Sequence, residues 1–255
     1  HLIKQGVTIA RNIKNTSFMG FVDVILNINK VYNNLKYCKS DIINYKPDIV
    51  LLVDYPAFNL KIAKFCKINN IKVIYFIAPK VWAWNSRRVL SIKRYVDKLL
   101  VVFPFEVKYF QQKSILAEYV GNPLVDITTK HKFKNINYKK PVIALLPGSR
   151  KQEIKSILPK MLEVVDDFPD YHFVIAAIND FSESYYRQIT DKYNNIDILF
   201  DQTYDILNTA QVALVVSGTA NLEASLLKTP QIVCYKTHFL NFLLARFLLN
   251  IKYIS

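Results

Sequence analysis

Short runs of β-branched and aliphatic residues recur along the chain with helical patterns between them: "DIVLLVD", "KVIYFIAP" and "KLLVVF", then "VIALLPGS", "HFVIAAI", "IDILF", "VALVVSG" and "QIVCYK". Runs that stay apolar over successive positions are strands buried on both faces, and strands separated by helices pair in parallel. The pattern predicts a parallel α/β architecture. The polar, basic stretch "ITTKHKFKNINYKK" interrupts it between "GNPLVD" and Pro141. We therefore expect one domain over residues 1–128, a linker over 129–140 and a second domain over 141–255. At 255 residues with 51% hydrophobic content, the chain can bury two such cores. No internal repeat is evident.

No apolar run approaches the ~20 residues a membrane-spanning helix needs, and no signal peptide is recognisable behind His1. Cys38, Cys66 and Cys234 are distant from one another and odd in number, which argues against a disulfide framework and for a reducing compartment. The four histidines, His1, His131, His172 and His238, have no metal-ligand spacing, so no metal site is expected. The net charge of +14 is uneven: residues 1–130 hold 20 Lys and Arg against 8 Asp and Glu, a net +12, and residues 131–255 hold 14 against 12, a net +2. The first half is expected to meet something anionic, the alternative being a lysine-rich solvated surface.

Only five glycines occur, and Gly121, Gly148 and Gly218 each stand where an apolar run ends and turns. In open parallel sheets ligands bind outside the carboxyl ends of the strands, where glycine lets backbone amides approach a phosphate. "LLPGSRKQEIKSILPKML" carries the strongest such signal. Ser149 can cap the following helix with Gln152 at the capping-box position, and Arg150 stands in the first turn as a phosphate donor. The spacing is neither that of a P-loop nor G-x-G-x-x-G. "VVSGTANLEASLLKTP" repeats strand, turn and helix, with Ser217, Gly218 and Thr219 in the turn. Glu223 lies one helical turn beyond Thr219, where it can accept hydrogen bonds from sugar hydroxyls or complement the helix dipole. In the first half, "PDIVLLVDYPAFN" ends a strand in Asp54, a candidate general base or else a turn or capping residue.

Taken in order, "DYPAFN", "APKVWAWNSRR", "VFPFE", "VGNPLVD", "LLPGSRKQEI" and "SGTANLEASL" resemble the lipid-A-disaccharide synthase family over essentially the whole chain. The resemblance implies two Rossmann-like parallel-sheet domains facing a cleft, the GT-B glycosyltransferase type. It implies a peripheral enzyme on the cytoplasmic face of the Gram-negative inner membrane. That enzyme transfers 2,3-diacylglucosamine from UDP-2,3-diacylglucosamine to 2,3-diacylglucosamine 1-phosphate, with inversion and without a metal or other cofactor. Asp54 matches the family's catalytic aspartate, and Gly148, Ser149 and Arg150 match "LPGSR". Ser217, Gly218, Thr219 and Glu223 match the nucleotide-side motif. Trp82, Trp84, Arg87, Arg88 and Asn122 fall on the acceptor side, with Lys80 beside the tryptophans. Both tryptophans of the chain lie within "VWAW", where they can structure the acceptor side beside cations or pack between helices.

Ala57 stands where the family has a second motif aspartate. The family's opening glycine loop is absent before His1 and its "LPN" segment beyond Ser255, so the chain reads as an internal fragment, expected to be inactive by itself. An anionic membrane surface is an expected partner. "HFLNFLLARFLLNI" (238–251) and "FMGFVDVILNINKVYNNLKY" are apolar stretches suited either to interfacial docking or to interior helices. A UDP-sugar transferase or UDP-sugar epimerase of related fold is the nearest alternative. A nucleic-acid-binding protein would instead cluster basic and aromatic residues on one element, so no nucleic-acid partner is expected.

Overall fold

The computed structural model describes residues 6–11, 28–82, 86–216 and 218–235. It divides into two compact units, one ending at Gly121 and one starting at Asn122, each built on its own parallel sheet.

The first unit runs α1 (Ile28–Tyr45), β1 (Ile49–Val53), α2 (Pro56–Ile68), β2 (Lys72–Phe76), α3 (Arg88–Tyr95), β3 (Lys98–Val101), α4 (Pro104–Gln111) and β4 (Ala117–Tyr119). Its strands lie side by side in chain order, β1-β2-β3-β4. Proline opens α2 and α4 at the first helical position, where a missing N–H costs nothing. Leu52, Val73, Tyr75, Leu99 and Val101 form one core with Ile62, Ala63 and Cys66 of α2, Val89 and Ile92 of α3, and Phe110 of α4. Alternate residues of β1, Ile49, Leu51 and Val53, point the other way and are exposed.

The second unit runs α5 (Pro123–Lys130), β5 (Val142–Leu146), α6 (Lys151–Met161), a 3-10 turn (Leu162–Val164), β6 (His172–Ala177), α7 (Glu183–Thr190), β7 (Ile196–Phe200), α8 (Thr203–Thr209), β8 (Val212–Val216), α9 (Thr219–Leu226) and β9 (Gln231–Cys234). The strand order is β7-β6-β5-β8-β9, all parallel. All five residues of the central strand β5 are buried, because helices cover both faces. Ile143 and Leu145 join Ile154, Ile157, Leu158 and Met161 of α6 on one side. Val142, Ala144 and Leu146 join Ile206 and Leu207 of α8 and Ala224 of α9 on the other. After β5 the chain builds outward through β6 and β7, then returns to build outward from the opposite side through β8 and β9. The carboxyl ends of β5 and β8 thus flank the switch point at which open α/β sheets bind ligands.

The division at Gly121 and Asn122 places residues 129–140, the expected linker, within the second unit. Ile136 and Tyr138 pack against its core, the Lys134 amide donates to Asp205 (2.8 Å), and the Tyr138 hydroxyl donates to Asp197 (2.9 Å). Among the described residues no helix is long and apolar enough to cross a membrane. Residues 238–251, Trp84 and Ser217 lie outside the described residues, and of the apolar stretch near the start only the part within α1 is described.

Candidate functional site

At the switch point of the second sheet a pocket of about 250 Å³ gathers Leu146, Ala176 and Val216 from strand ends, Gly148, Ser149 and Arg150 from the first turn, and Gly218, Thr219 and Glu223 from the second. Six expected nucleotide-side residues, distant in sequence, therefore meet around one space.

The two turns are built differently. Helix α6 starts at Lys151, so Arg150 rather than Ser149 is its N-cap, and the capping partner is Glu153 rather than Gln152. The Glu153 carboxylate accepts from the amides of Ser149 (3.1 Å) and Arg150 (3.3 Å) and pairs with the Arg150 guanidinium. An ionised acceptor at a helix N-terminus outcompetes a neutral carboxamide, which explains the one-residue shift from the expected box. Two amides expected to be free for a ligand are therefore bonded to the chain's own carboxylate. Gly148 has φ +105°, and a Cβ there would lie 2.5 Å from Glu153 Oε2, so glycine makes room for that carboxylate. The second turn has no such carboxylate. Gly218 caps α9 with φ +148°, no acidic residue stands in the helix's first turn, and among the described residues nothing lies within 4 Å of a Cβ position on Gly218.

Glu223 is half-buried, and its Oε1 accepts a hydrogen bond from the Tyr204 hydroxyl (3.0 Å). Burial raises the Glu223 carboxyl above the ordinary range, and the bond from Tyr204 opposes that rise. Burial, then the neighbouring Glu223 charge, push the Tyr204 phenol up to about 12. Behind Tyr204 the His131 ring packs edge-on at 5.1 Å, and its Nε2 lies 2.8 Å from the buried Asp205 carboxylate. Burial would raise Asp205, but the bonds from Lys134 N and His131 outweigh it and hold the group low. Tyr204, Asp205 and His131 were not among the expected site residues.

In the first unit, Asp54 directly follows β1 and is exposed. Asp54 and Tyr55 are both left-handed, with φ of 44° and 45°. The Asn59 side chain donates to the carbonyls of Val53 (3.0 Å) and Asp54 (2.7 Å), and the buried Tyr75 hydroxyl donates to the Asp54 carbonyl (2.7 Å). Burial, then the Asp54 charge, raise the Tyr75 phenol, while Arg88 lowers it. Arg87 is the exposed N-cap of α3, and Arg88 is its half-buried first residue.

Trp82 is 39% exposed, packs edge-on against Phe105 at 5.0 Å, and donates its Nε1–H to Glu106 (3.1 Å). Glu106, only 1% exposed, also accepts from the amides of Val102 (3.3 Å) and Phe103 (3.0 Å). Phe103 stacks on Phe105 at 5.7 Å. One face of this aromatic group is thereby anchored while Phe105 remains 51% exposed. Asn122 uses its carboxamide oxygen to cap α5 through the Leu124 amide (3.0 Å). Among the described residues no group of three His, Cys, Asp or Glu side chains is arranged to hold a metal ion, and the three cysteines are free.

The family model described as lipid-A-disaccharide synthetase matches residues 1–255. The chain is 31% identical over 268 aligned residues to lipid-A-disaccharide synthase 1 of Legionella pneumophila, covering all of this chain and 70% of that protein. It is 32% identical over 268 residues to the lipid-A-disaccharide synthase of Syntrophus aciditrophicus, with the same coverage. Among solved structures it is similar to UDP-GlcNAc 2-epimerase from Neisseria meningitidis bound to UDP-GlcNAc, with a TM-score of 0.60 at 17% identity over 85% of this chain and 67% of that one. The S. aureus MnaA–UDP co-structure gives 0.59 at 14% identity over 81% and 62%. The glycotransferase of kitacinnamycin gives 0.55 at 13% identity over 85% and 65%. These structural likenesses show the fold: two Rossmann-like units of the GT-B type.

Proposed function

Since the chain belongs to the lipid-A-disaccharide synthase family of GT-B glycosyltransferases, we propose that it joins 2,3-diacylglucosamine, donated by its UDP derivative, to the 6-hydroxyl of 2,3-diacylglucosamine 1-phosphate. The observation that carries this reading is the convergence of Gly148, Ser149, Arg150, Gly218, Thr219 and Glu223 on one pocket at the switch point. The N-terminus of α9 offers its amides and partial positive charge to the diphosphate, and the Arg150 guanidinium adds a charge-assisted contact. Because Glu153 holds the Ser149 and Arg150 amides, the phosphate contacts of the first turn fall to the Arg150 side chain, whose half-exposed guanidinium pairs with Glu153 through Nη1 and has further N–H donors to offer. Glu223, steadied by Tyr204, accepts from sugar hydroxyls of the donor.

The step is a direct, inverting displacement. The acceptor O6 attacks the anomeric carbon and forms the new C–O bond while Asp54 takes the hydroxyl proton. The anomeric C–O bond to UDP breaks, its electron pair leaves with the diphosphate, and Arg150 and the α9 amides offset the charge. Trp82, Arg87 and Arg88 line the acceptor side, and the exposed Phe105 beside Trp82 offers apolar surface to acyl chains. The surplus positive charge of the first half suits the anionic cytoplasmic face of the inner membrane.

Asp54→Asn in the protein expressed from its whole gene is expected to abolish disaccharide formation and leave UDP affinity by calorimetry nearly unchanged. Retention of more than about a tenth of the wild-type rate at saturating substrate would reject Asp54 as the base. The likeness to UDP-GlcNAc 2-epimerases supports a second reading. Conversion of UDP-GlcNAc to its C2 epimer by the purified protein, with no disaccharide formed from the diacylated pair, would replace the transferase reading.

A further inference from the structure

The carboxyl ends of β1 and β2 concentrate unusual backbone. Asp54, Tyr55 and Ile77 are all left-handed, at φ of 44°, 45° and 58°, although none is glycine. The Asp54 amide donates to the Phe76 carbonyl (3.0 Å), so the two strand ends are tied together beside this strain. Aspartate takes the left-handed region more readily than most residues, but at Tyr55 and Ile77 it is strained and persists only where surrounding contacts over-determine it.

The contacts here are specific. The peptide unit before Asp54 is fixed at both polar ends: its carbonyl, on Val53, accepts from Asn59 Nδ2, and its N–H donates to Phe76 O. The carbonyl of the peptide unit after Asp54 accepts from both Asn59 Nδ2 and Tyr75 Oη. With both flanking peptide planes fixed, the direction of the Asp54 Cα–Cβ bond is fixed too. Asn59 itself sits in the first turns of α2, where its amide donates to the Tyr55 carbonyl (3.0 Å), so the helix start and the turn are one unit. Tyr75 is fully buried in the core of the first unit and has no freedom to follow a moving turn.

The geometry points to Asn59 as a positioning residue, with Tyr75 its second support, that aims the Asp54 carboxylate by locking the left-handed turn on which it stands. This role rests on the reading of Asp54 as the base. Both side chains donate to backbone carbonyls of the turn. A displacement of an ångström at a reacting group lowers rate by about 100-fold, so Asn59→Ala is expected to lower kcat by about that factor while UDP affinity, read in the second unit, stays within about twofold. Rescue separates aiming from simple folding: Tyr55→Gly adopts the left-handed turn without steric penalty, and adding it to Asn59→Ala is expected to recover about tenfold in kcat. A merely structural Asn59 would gain nothing from that glycine, which loosens the unfolded chain.

The measurement is steady-state kinetics on wild type, Asn59→Ala, the Asn59→Ala/Tyr55→Gly pair, Tyr75→Phe and Asp54→Asn, with calorimetric UDP binding for each. If Asn59→Ala does not fold, Tyr75→Phe removes a donor without opening a large cavity and is expected to lower kcat by about 5- to 10-fold. A kcat for Asn59→Ala within about twofold of wild type, or no recovery with Tyr55→Gly, overturns the proposal. An inactive Asp54→Asn beside an unaffected Asn59→Ala rejects positioning and leaves the base reading standing. An active Asp54→Asn removes the base reading itself, and positioning with it.

Discussion

Gly148→Ala tests whether the turn after β5 is built around the chain's own carboxylate. A non-glycine residue at φ +105° stores roughly 1–3 kcal/mol of backbone strain. The new Cβ would also stand 2.5 Å from Glu153 Oε2 and 3.0 Å from Glu153 Cβ. The carboxylate can swing away, but the Cβ is fixed to α6, so the turn must shift as well. Displacing the carboxylate breaks its bonds to the Ser149 and Arg150 amides and its pairing with the Arg150 guanidinium. A desolvated bond of that kind contributes about 1.5–3 kcal/mol. Glu153 and Arg150 side chains are 26% and 50% exposed, so solvent screening reduces the whole set to about 1–2 kcal/mol. The sum is roughly 2–5 kcal/mol of lost stability in the second unit. Gly218→Ala, with none of the described residues within 4 Å of its Cβ, carries the backbone part, about 1–3 kcal/mol. Urea unfolding followed by circular dichroism suits the measurement, because both tryptophans lie in the first unit and fluorescence would report on the wrong one. The decisive quantity is the coupling in a double-mutant cycle of Gly148→Ala with Glu153→Ala, expected at about 1–2 kcal/mol. Additivity within about 0.5 kcal/mol would refute the account of the turn.

Arg150→Ala is expected to weaken UDP binding by about 1.5–3 kcal/mol in calorimetry, since the proposed charge-assisted phosphate contact would act in ground and transition states alike. Unchanged affinity would remove Arg150 from the phosphates. Trp82→Phe deletes one of three donors to the buried Glu106 and is expected to destabilise the first unit by about 1–3 kcal/mol in thermal unfolding. No shift would mean that the indole N–H is dispensable. Tyr204→Phe removes the donor that favours the Glu223 carboxylate, so the already raised Glu223 value climbs further. A carboxyl raised in the folded state favours folding most below its unfolded value, and that favour is lost as pH rises through the folded value. The variant's stability is therefore expected to go on falling with rising pH over a higher range than the wild type's, and a pH profile of urea stability identical to wild type would detach Tyr204 from Glu223.

Eight of the nine strands among the described residues were legible because parallel strands covered on both faces leave continuous apolar runs, as "VIALL" does in β5. The three-residue β4 was marked only at its end, where Gly121 follows the short run "EYV". Gly148, Arg150, Thr219 and Glu223 could be named because turn and helix signals are local, spaced within four residues of one another in each motif. The missed residues act over distance. Glu106 receives Trp82 from 24 positions away, Glu223 receives Tyr204 from 19, and Asp205 meets His131 from 74. Tyr75 read as one more core residue of a strand, and nothing in "YFIAP" announces that its hydroxyl reaches the Asp54 carbonyl. The cap of α6 was misplaced by one residue because Ser-x-x-Gln and Arg-x-x-Glu overlap in "SRKQE", and charge decided between them.

The segment that joins "GNPLVD" to Pro141 bears on how the protein can be divided. A second unit expressed from Pro141 onward would lack Ile136 and Tyr138 from one core layer and strip Asp197 of its tyrosine donor. Asp205, 2% exposed, would lose both the His131 ring and the Lys134 amide. A buried carboxylate without donors is strongly unfavourable, so a cut at that point removes part of the unit's own interior. The natural place to sever the chain is ahead of Asn122, whose side chain begins α5 and keeps the whole strap with the sheet it seals.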